Sequence, residues 1–387
     1  MCVVSAENMN VFKETEVLRA YLDCRKRKRN TVNALEFEFN LSENLNTLFK
    51  ELNSGSYRPG RSVCFVTQSP KPREIFAASF RDRIVHHLLV RKIEPYWEKV
   101  FIHDSYACRK EKGTHAAVDR LRNYVRSITK GGRVRAFYLQ LDVRNFFMSI
   151  NRDLLFSFLE KGLNKQFHIP FNRLPLGCDN LHEFEAYRNL LKLFVFHNPT
   201  ENYERRSPVK KWNMLKPEKS LFNCEKGKGI PIGNLTSQFF ANVYMNRLDQ
   251  FVKHKLKVKH YVRYVDDFVI LGKTREELKC LLEKIQIFLT DELFLELKND
   301  IRIRSLSSGI NFLGYVQHIS HRLPRNRVVN NFKTKLRWYE EDMNKCCGNW
   351  VKELSCQKEY EPVFASYIAH LKRCDSFKMR NFFEVLQ

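Results

Sequence analysis

The chain has 387 residues, 43% of them hydrophobic and 28% charged, enough to bury a sizeable core in one multi-lobed domain or in two to three small ones. Lys and Arg number 67 against 43 Asp and Glu, and the net charge of +24 points to a polyanionic partner. No apolar run approaches the roughly 18 residues of a membrane span, and Met1–Asn10 has no basic stretch followed by an apolar one, so neither a membrane partner nor export is expected.

In chain order, Glu14–Leu52 reads mostly as helix, with Leu41, Leu45 and Leu48 at helical spacing. Arg25–Arg29 is five consecutive basic residues near a helix end, fitting a solvated face and a nucleic-acid backbone contact equally. Gly55–Gly60 reads as a turn and Val63–Thr67 as a strand. Helices are expected over Asp82–Tyr96, with Ile84, Leu88 and Ile93 inward, and over His115–Ile128, before the Gly131-Gly132 break. Ala136–Leu141 reads as a buried strand ending at Asp142. After the Gly233 turn, Leu235–Phe251 reads as helix. Tyr261–Tyr264 and Phe268–Leu271 read as strands joined by Val265-Asp266-Asp267. Glu276–Leu289 is helical, Ile310–Val316 a strand, and the pattern from Asn330 onward helical. Strands mixed with helices between two helical ends predict an α+β fold with a central antiparallel sheet.

The 11 cysteines include no CxxC pair, and the late group Cys346, Cys347, Cys356 and Cys374 fits no common zinc spacing. Reduced thiols in a cytoplasmic protein are expected. His86, His87 and His115 read as structural or template-contacting rather than catalytic.

The strongest chemical signal is the adjacent pair Asp266-Asp267 between two apolar strands. A hairpin tip usually takes Asn-Gly or Asp-Gly. Two neighbouring carboxylates repel, and a hard cation such as Mg²⁺ offsets that repulsion. Asp142 ends a second strand, 124 residues earlier. Three such carboxylates around one phosphate make the two-metal design for in-line phosphoryl transfer, with no covalent enzyme intermediate.

In order and context these residues resemble the polymerase motifs of reverse transcriptases. Leu139–Ile150 resembles motif A, Gly229–Asn242 motif B, Tyr264–Asp267 the YxDD box and Phe312–Tyr315 the primer-grip turn, and the resemblance runs from about Tyr21 to Arg380. It implies an RNA-directed DNA polymerase with the right-hand architecture. Residues 1–130 would form the fingers, 131–320 the palm with an inserted fingers segment around 151–228, and 321–387 a helical thumb. It implies two Mg²⁺ ions, with Mn²⁺ able to substitute, held by Asp142, Val143, Asp266 and Asp267. The dNTP would meet Lys71, Arg73, Asn145, Phe147, Ile232 and Gln238, with Phe147 as an aromatic gate against a ribose 2′-hydroxyl. Arg109, Lys110, Tyr264, Phe312, Leu313, Gly314, Tyr315, Arg325 and Arg327 would touch primer or template.

Motif B departs from the commonest pattern. Ile232 stands where many reverse transcriptases carry Gln, and Ser237-Gln238 replaces Ser-Pro. This variant resembles the enzymes of diversity-generating retroelements and related defence-associated reverse transcriptases. The first implies error-prone copying of a template RNA, notably opposite adenine, with an accessory protein. The second implies DNA synthesis from a noncoding RNA, beside a second polymerase, with a repetitive or untemplated product. A third reading is an idle nucleic-acid-binding protein, against which the three carboxylates argue. In motif D, Ile301 holds the usual Lys position, leaving open which group protonates pyrophosphate. Leu174–Gly227, with Trp212, Lys210 and Lys211, reads equally as an RNA- or partner-binding insertion and as ordinary fingers. Between Arg322 and Arg337 lie six basic residues and no acidic one, as in a surface tracking a duplex.

Overall fold

The computed structural model describes residues 10–26, 28–68, 71–168, 179–346 and 350–375. The chain begins with helices α1 (Glu14–Arg25), α2 (Val32–Phe39) and α3 (Leu41–Ser54), then strands β1 (Ser62–Thr67) and β2 (Arg73–Ala77). Helices α4 (Phe80–Val100) and α5 (Thr114–Ile128) lead to β3 (Phe137–Asp142). There follow α6 (Phe146–Ser149), α7 (Arg152–Gln166), α8 (Asp179–Phe196), β4 (Tyr203–Arg205), α9 (Val209–Trp212) and α10 (Leu235–Gln250). Then come β5 (Tyr261–Tyr264), β6 (Asp267–Gly272), α11 (Arg275–Leu293), β7 (Arg302–Ser305), β8 (Ile310–Phe312), β9 (Tyr315–Gln317), β10 (Arg322–Pro324), α12 (Asn326–Cys346) and α13 (Trp350–Leu371). The class is α+β. Among the described residues, no helix is long and apolar enough to cross a membrane.

Two compact units are each assembled from three stretches. One takes Met1–His103, Asp142–Lys255 and Ile285–Lys298; the other takes Asp104–Leu141, Leu256–Lys284 and Asn299–Gln387.

In the first unit α4 is the central helix, packed by α1, α7 and α10. Its start is set by Ser79, whose hydroxyl accepts from the Asp82 amide and satisfies a donor the helix leaves open. Asp82 is itself buried, and its carboxylate accepts from Tyr57 Oη and the Gly60 amide, each at 2.8 Å. Strands β1 and β2 are antiparallel, from Val63↔Ala77 to Thr67↔Arg73. Strand β4 adds to β1 in parallel, from Ser62↔Tyr203 to Cys64↔Arg205. Of the stretch 174–227, only Tyr203–Arg205 joins this sheet, and 174–178 lie outside the described residues.

In the second unit a four-stranded sheet has the order β5-β6-β3-β7, with β5–β6 and β3–β7 antiparallel. Helix α5 packs against it through Ala117, Val118, Leu121 and Val125, each essentially buried. Its apolar positions recur every three or four residues, the period that lines one helical face. A second sheet has the order β10-β9-β8. The single strand expected over Ile310–Val316 is a hairpin instead: Leu313 (φ 49°) and Gly314 (φ 89°) reverse the chain between β8 and β9. Helices α12 and α13 meet through Phe332, Leu336, Phe364, Tyr367 and Leu371.

Candidate active site

The β5–β6 hairpin carries Asp266 and Asp267. Tyr264 pairs with Asp267, so the loop is only Val265-Asp266 and Asp267 opens β6. Val265 has φ 58°, at the first loop position, where glycine is the usual residue. Asp267 Oδ1 accepts from Gln140 Nε2 at 3.1 Å, and the same amide reaches the Asn311 carbonyl at 3.0 Å. Tyr264 is half-buried, its hydroxyl accepting from Thr114 Oγ1 at 3.3 Å.

Asp142 ends β3 and belongs to the first unit. Its carbonyl accepts from the Lys298 amide at 2.9 Å, and Val143 bridges Leu297. Its Oδ2 takes the Lys298 ammonium, while Oδ1 is buried with no hydrogen-bond partner among the described residues. Among those residues, no three His, Cys, Asp or Glu side chains gather as a metal cage. Asp142 alone nonetheless fits a hard cation: one oxygen is orphaned and the other already holds a positive charge. Lys298 went unrecognised as a site residue in the sequence. Its one signal was its place directly after Leu295-Glu296-Leu297.

After Asp142 the chain turns sharply at Asn145, φ 45°, a conformation that asparagine tolerates better than most residues. The next two residues diverge: Phe146 is buried, whereas Phe147 is half-buried beside Ile232, Trp212 and Met148. Motif B is laced to motif A and to β2. The Ile230 amide donates to Phe147 O (2.9 Å), the Gly229 amide to Ile150 O (2.9 Å) and the Phe76 amide to Ile232 O (2.8 Å). Gly233 has φ 127°, and a Cβ there would lie 2.8 Å from the Phe76 carbonyl oxygen, so this position requires glycine. Gln238 is exposed on α10. Phe147, Ile232 and β2 are therefore one packed group.

Lys71 and Arg73 are exposed at the head of β2; Ser69 and Pro70 of their motif lie outside the described residues. The next residue, Glu74, is buried and accepts from Ser220 Oγ and the Leu221 amide, each at 2.7 Å. That pins the turn carrying Lys219 against β2. Burial and the nearby charges of Lys71, Lys298 and Lys216 lower the Lys219 ammonium below the usual lysine range. Lys219 is thus a further cation beside the expected pair, invisible in sequence because 146 residues separate Glu74 from Ser220.

The remaining expected residues lie in the second unit. Arg109 turns back to donate to Ser105 O at 2.9 Å, and Lys110 is exposed. The Phe312–Tyr315 turn is held from α13: the His370 ring stacks on Tyr315 at 3.9 Å, and Tyr315 Oη donates to His370 O at 3.1 Å. Arg325 and Arg327 are exposed, and the Arg325 amide donates to Gly314 O at 2.9 Å. Arg322, counted among the basic stretch, is 1% exposed and bound to Gln317, Val118 and Asp119, so it faces no duplex. His86 is buried against Phe194 with Nδ1 2.9 Å from Thr236 Oγ1, and burial lowers its pKa to about 3. That is a neutral structural imidazole.

Residues 188–316 match the family model described as reverse transcriptase (RNA-dependent DNA polymerase). Asp266 and Asp267 fall inside that stretch and Asp142 outside it. The chain is 24% identical over 335 residues to Protein YkfC of Escherichia coli (strain K12), covering 76% of this chain and 75% of that one. It is 24% identical over 308 residues to the group II intron-encoded protein LtrA of Lactococcus lactis subsp. cremoris, covering 70% of this chain and 49% of LtrA. It therefore spans about three quarters of the first relative and half of the second. Among solved structures, apo telomerase from Candida tropicalis truncated from its C-terminal domain aligns with a TM-score of 0.46 at 10% identity, over 68% of this chain and 55% of that one. Residues 188–316 thus match a reverse transcriptase domain, the domain of RNA-directed DNA polymerases.

Proposed function

We propose that Asp142, Asp266 and Asp267 are the metal-holding carboxylates of this polymerase, and that it extends a 3′-hydroxyl with dNTPs along an RNA template. The observation that carries the reading is the Gln140–Asp267 hydrogen bond. Side chains alternate along a strand, so Asp142, two residues beyond Gln140, projects from the same face of β3. Asp142, Asp266 and Asp267 would hold two divalent ions, which would supply activation of the attacking hydroxyl and charge neutralisation of the leaving pyrophosphate. The chain's own residues do the rest. Lys71, Arg73 and Lys219 present charge to the triphosphate, the arginine as a two-pronged fork. Phe147 sets a flat ring where a ribose 2′-hydroxyl would project. Ile232 offers no amide hydrogen bond, which favours relaxed selectivity at the templating pair. We read 1–130 as fingers, 131–320 as palm with an inserted fingers segment around 151–228, and 321–387 as thumb.

The biological reading that Ile232 favours is mutagenic copying of a template RNA, as in a diversity-generating retroelement, with an accessory protein. The test is DNA synthesis by purified protein on a primed RNA with dNTPs and Mg²⁺, beside the Asp266→Ala, Asp267→Ala variant, with products sequenced. Template-complementary DNA that the variant loses by about 10³-fold or more is expected, in line with removal of metal charge stabilisation. Errors concentrated opposite adenine support the retroelement role. A repetitive product unrelated to the template favours the defence role. Unchanged synthesis by the variant overturns the assignment of the acids.

A further inference from the structure

Arg263 is the residue before the hairpin's Tyr264, and it is completely buried. An arginine without solvent is costly unless its donors are satisfied in fixed geometry. Its Nη1 donates to the Val265 carbonyl at 2.8 Å and its Nη2 to Ser105 Oγ at 2.9 Å. The backbone repeats the connection: the Arg263 amide donates to Asp104 O and the Tyr106 amide to Arg263 O, each at 3.0 Å. Asp104 is anchored in turn, its carboxylate accepting from Arg120 Nε (2.8 Å) and Tyr124 Oη (2.7 Å) on α5. Residues 104–106 are thus a strap tied to α5 and laid along β5.

Val265 is what the strap holds. It is β-branched, lacks glycine's freedom, and stands at φ 58°. A left-handed β-branched residue persists only where its surroundings hold it there. The Val265 carbonyl is clamped by the Arg263 side chain. Asp266 follows directly, so any relaxation at Val265 re-aims both carboxylates.

We propose that Arg263 is a positioning residue whose guanidinium, braced on Ser105, clamps the Val265 carbonyl and holds the left-handed hairpin tip that aims Asp266 and Asp267. A planar fork reaching two acceptors suits this task; a lysine's single nitrogen cannot span both. The inference rests on the hairpin being the catalytic tip, as proposed above.

The test is a double-mutant cycle of Arg263→Lys with Val265→Gly, both full-length, read as DNA synthesis and as thermal midpoint. Glycine adopts φ 58° at little cost, so it removes the need for a clamp. Arg263→Lys alone is expected to cost about tenfold in DNA synthesis. Made on top of Val265→Gly, it should cost less than about threefold, a coupling of the size seen between contacting residues. The loss in thermal midpoint should shrink in the same way. Ser105→Ala, which removes the brace and keeps the arginine, should lose activity in the same direction. Equal losses with and without Val265→Gly would assign Arg263 to general packing and overturn the clamp. Coupling in thermal midpoint with activity that survives loss of both acids would uphold the clamp and overturn the catalytic reading of the hairpin.

Discussion

Neighbouring residues of one type take different parts in this chain, and Phe146 and Phe147 are the clearest pair. The first is 2% exposed and serves the core; the second stays half-buried beside Ile232. Phe147→Val should raise the ratio of ribonucleotide to deoxynucleotide kcat/KM by roughly 10- to 100-fold, the range one packing contact can discriminate. Steady-state incorporation of single nucleotides checks this, and an unchanged ratio would return Phe147 to the core. Lys298 calls for a different measurement. Its ammonium on Asp142 competes with any divalent ion, but both side chains are over a third exposed, so the pair contributes at most about 1 kcal/mol. Lys298→Met should therefore tighten Mn²⁺ binding by no more than about fivefold, as read by electron paramagnetic resonance titration. Weaker binding would show that the lysine supports the site rather than competing for it.

Among the elements, those with a clean period were legible: α5, with its buried stripe, and β3, an apolar run ending in acid, fall within one residue of their expected limits. Elements that depend on distant pairing were not. Strand β4 is three residues long and exists because β1 accepts it; no local pattern announces that. The β8–β9 reversal rests on a leucine and a glycine in left-handed backbone, and only the glycine was a signal. The turn carrying Lys219 is held by Glu74, a buried carboxylate whose pKa is raised by burial against the opposing hydrogen bonds from Ser220 and Leu221. Glu74→Ala leaves those donors without their acceptor, costing about 1–3 kcal/mol. The expected outcome is a lower thermal midpoint and a several-fold rise in dNTP KM with a smaller change in kcat. A KM that does not move would remove Lys219 from the nucleotide site.

For the whole molecule, the charge of +24 makes nucleic-acid binding steeply salt-dependent. Arg325→Ala and Arg327→Ala, at exposed positions, should each lower the slope of log affinity against log salt by about one. Arg322→Ala should leave the slope alone and cost about 1–3 kcal/mol of stability, because it leaves Gln317 Oε1 and the Val118 carbonyl without their donor. Binding titrations across salt, with a thermal melt, separate the two outcomes, and a slope change at Arg322 would contradict its burial. The sequence by itself determined the class of chemistry. Hard carboxylates at strand ends, a basic excess and the motif order are properties of residue type and spacing, which survive without coordinates. Tertiary structure decided which cations are gathered beside β2, which aromatic ring stays half-exposed, and how a valine is held in a glycine's conformation. Those depend on contacts between residues up to about 160 positions apart, such as Arg263 with Ser105, and no local pattern encodes a distance across that much chain.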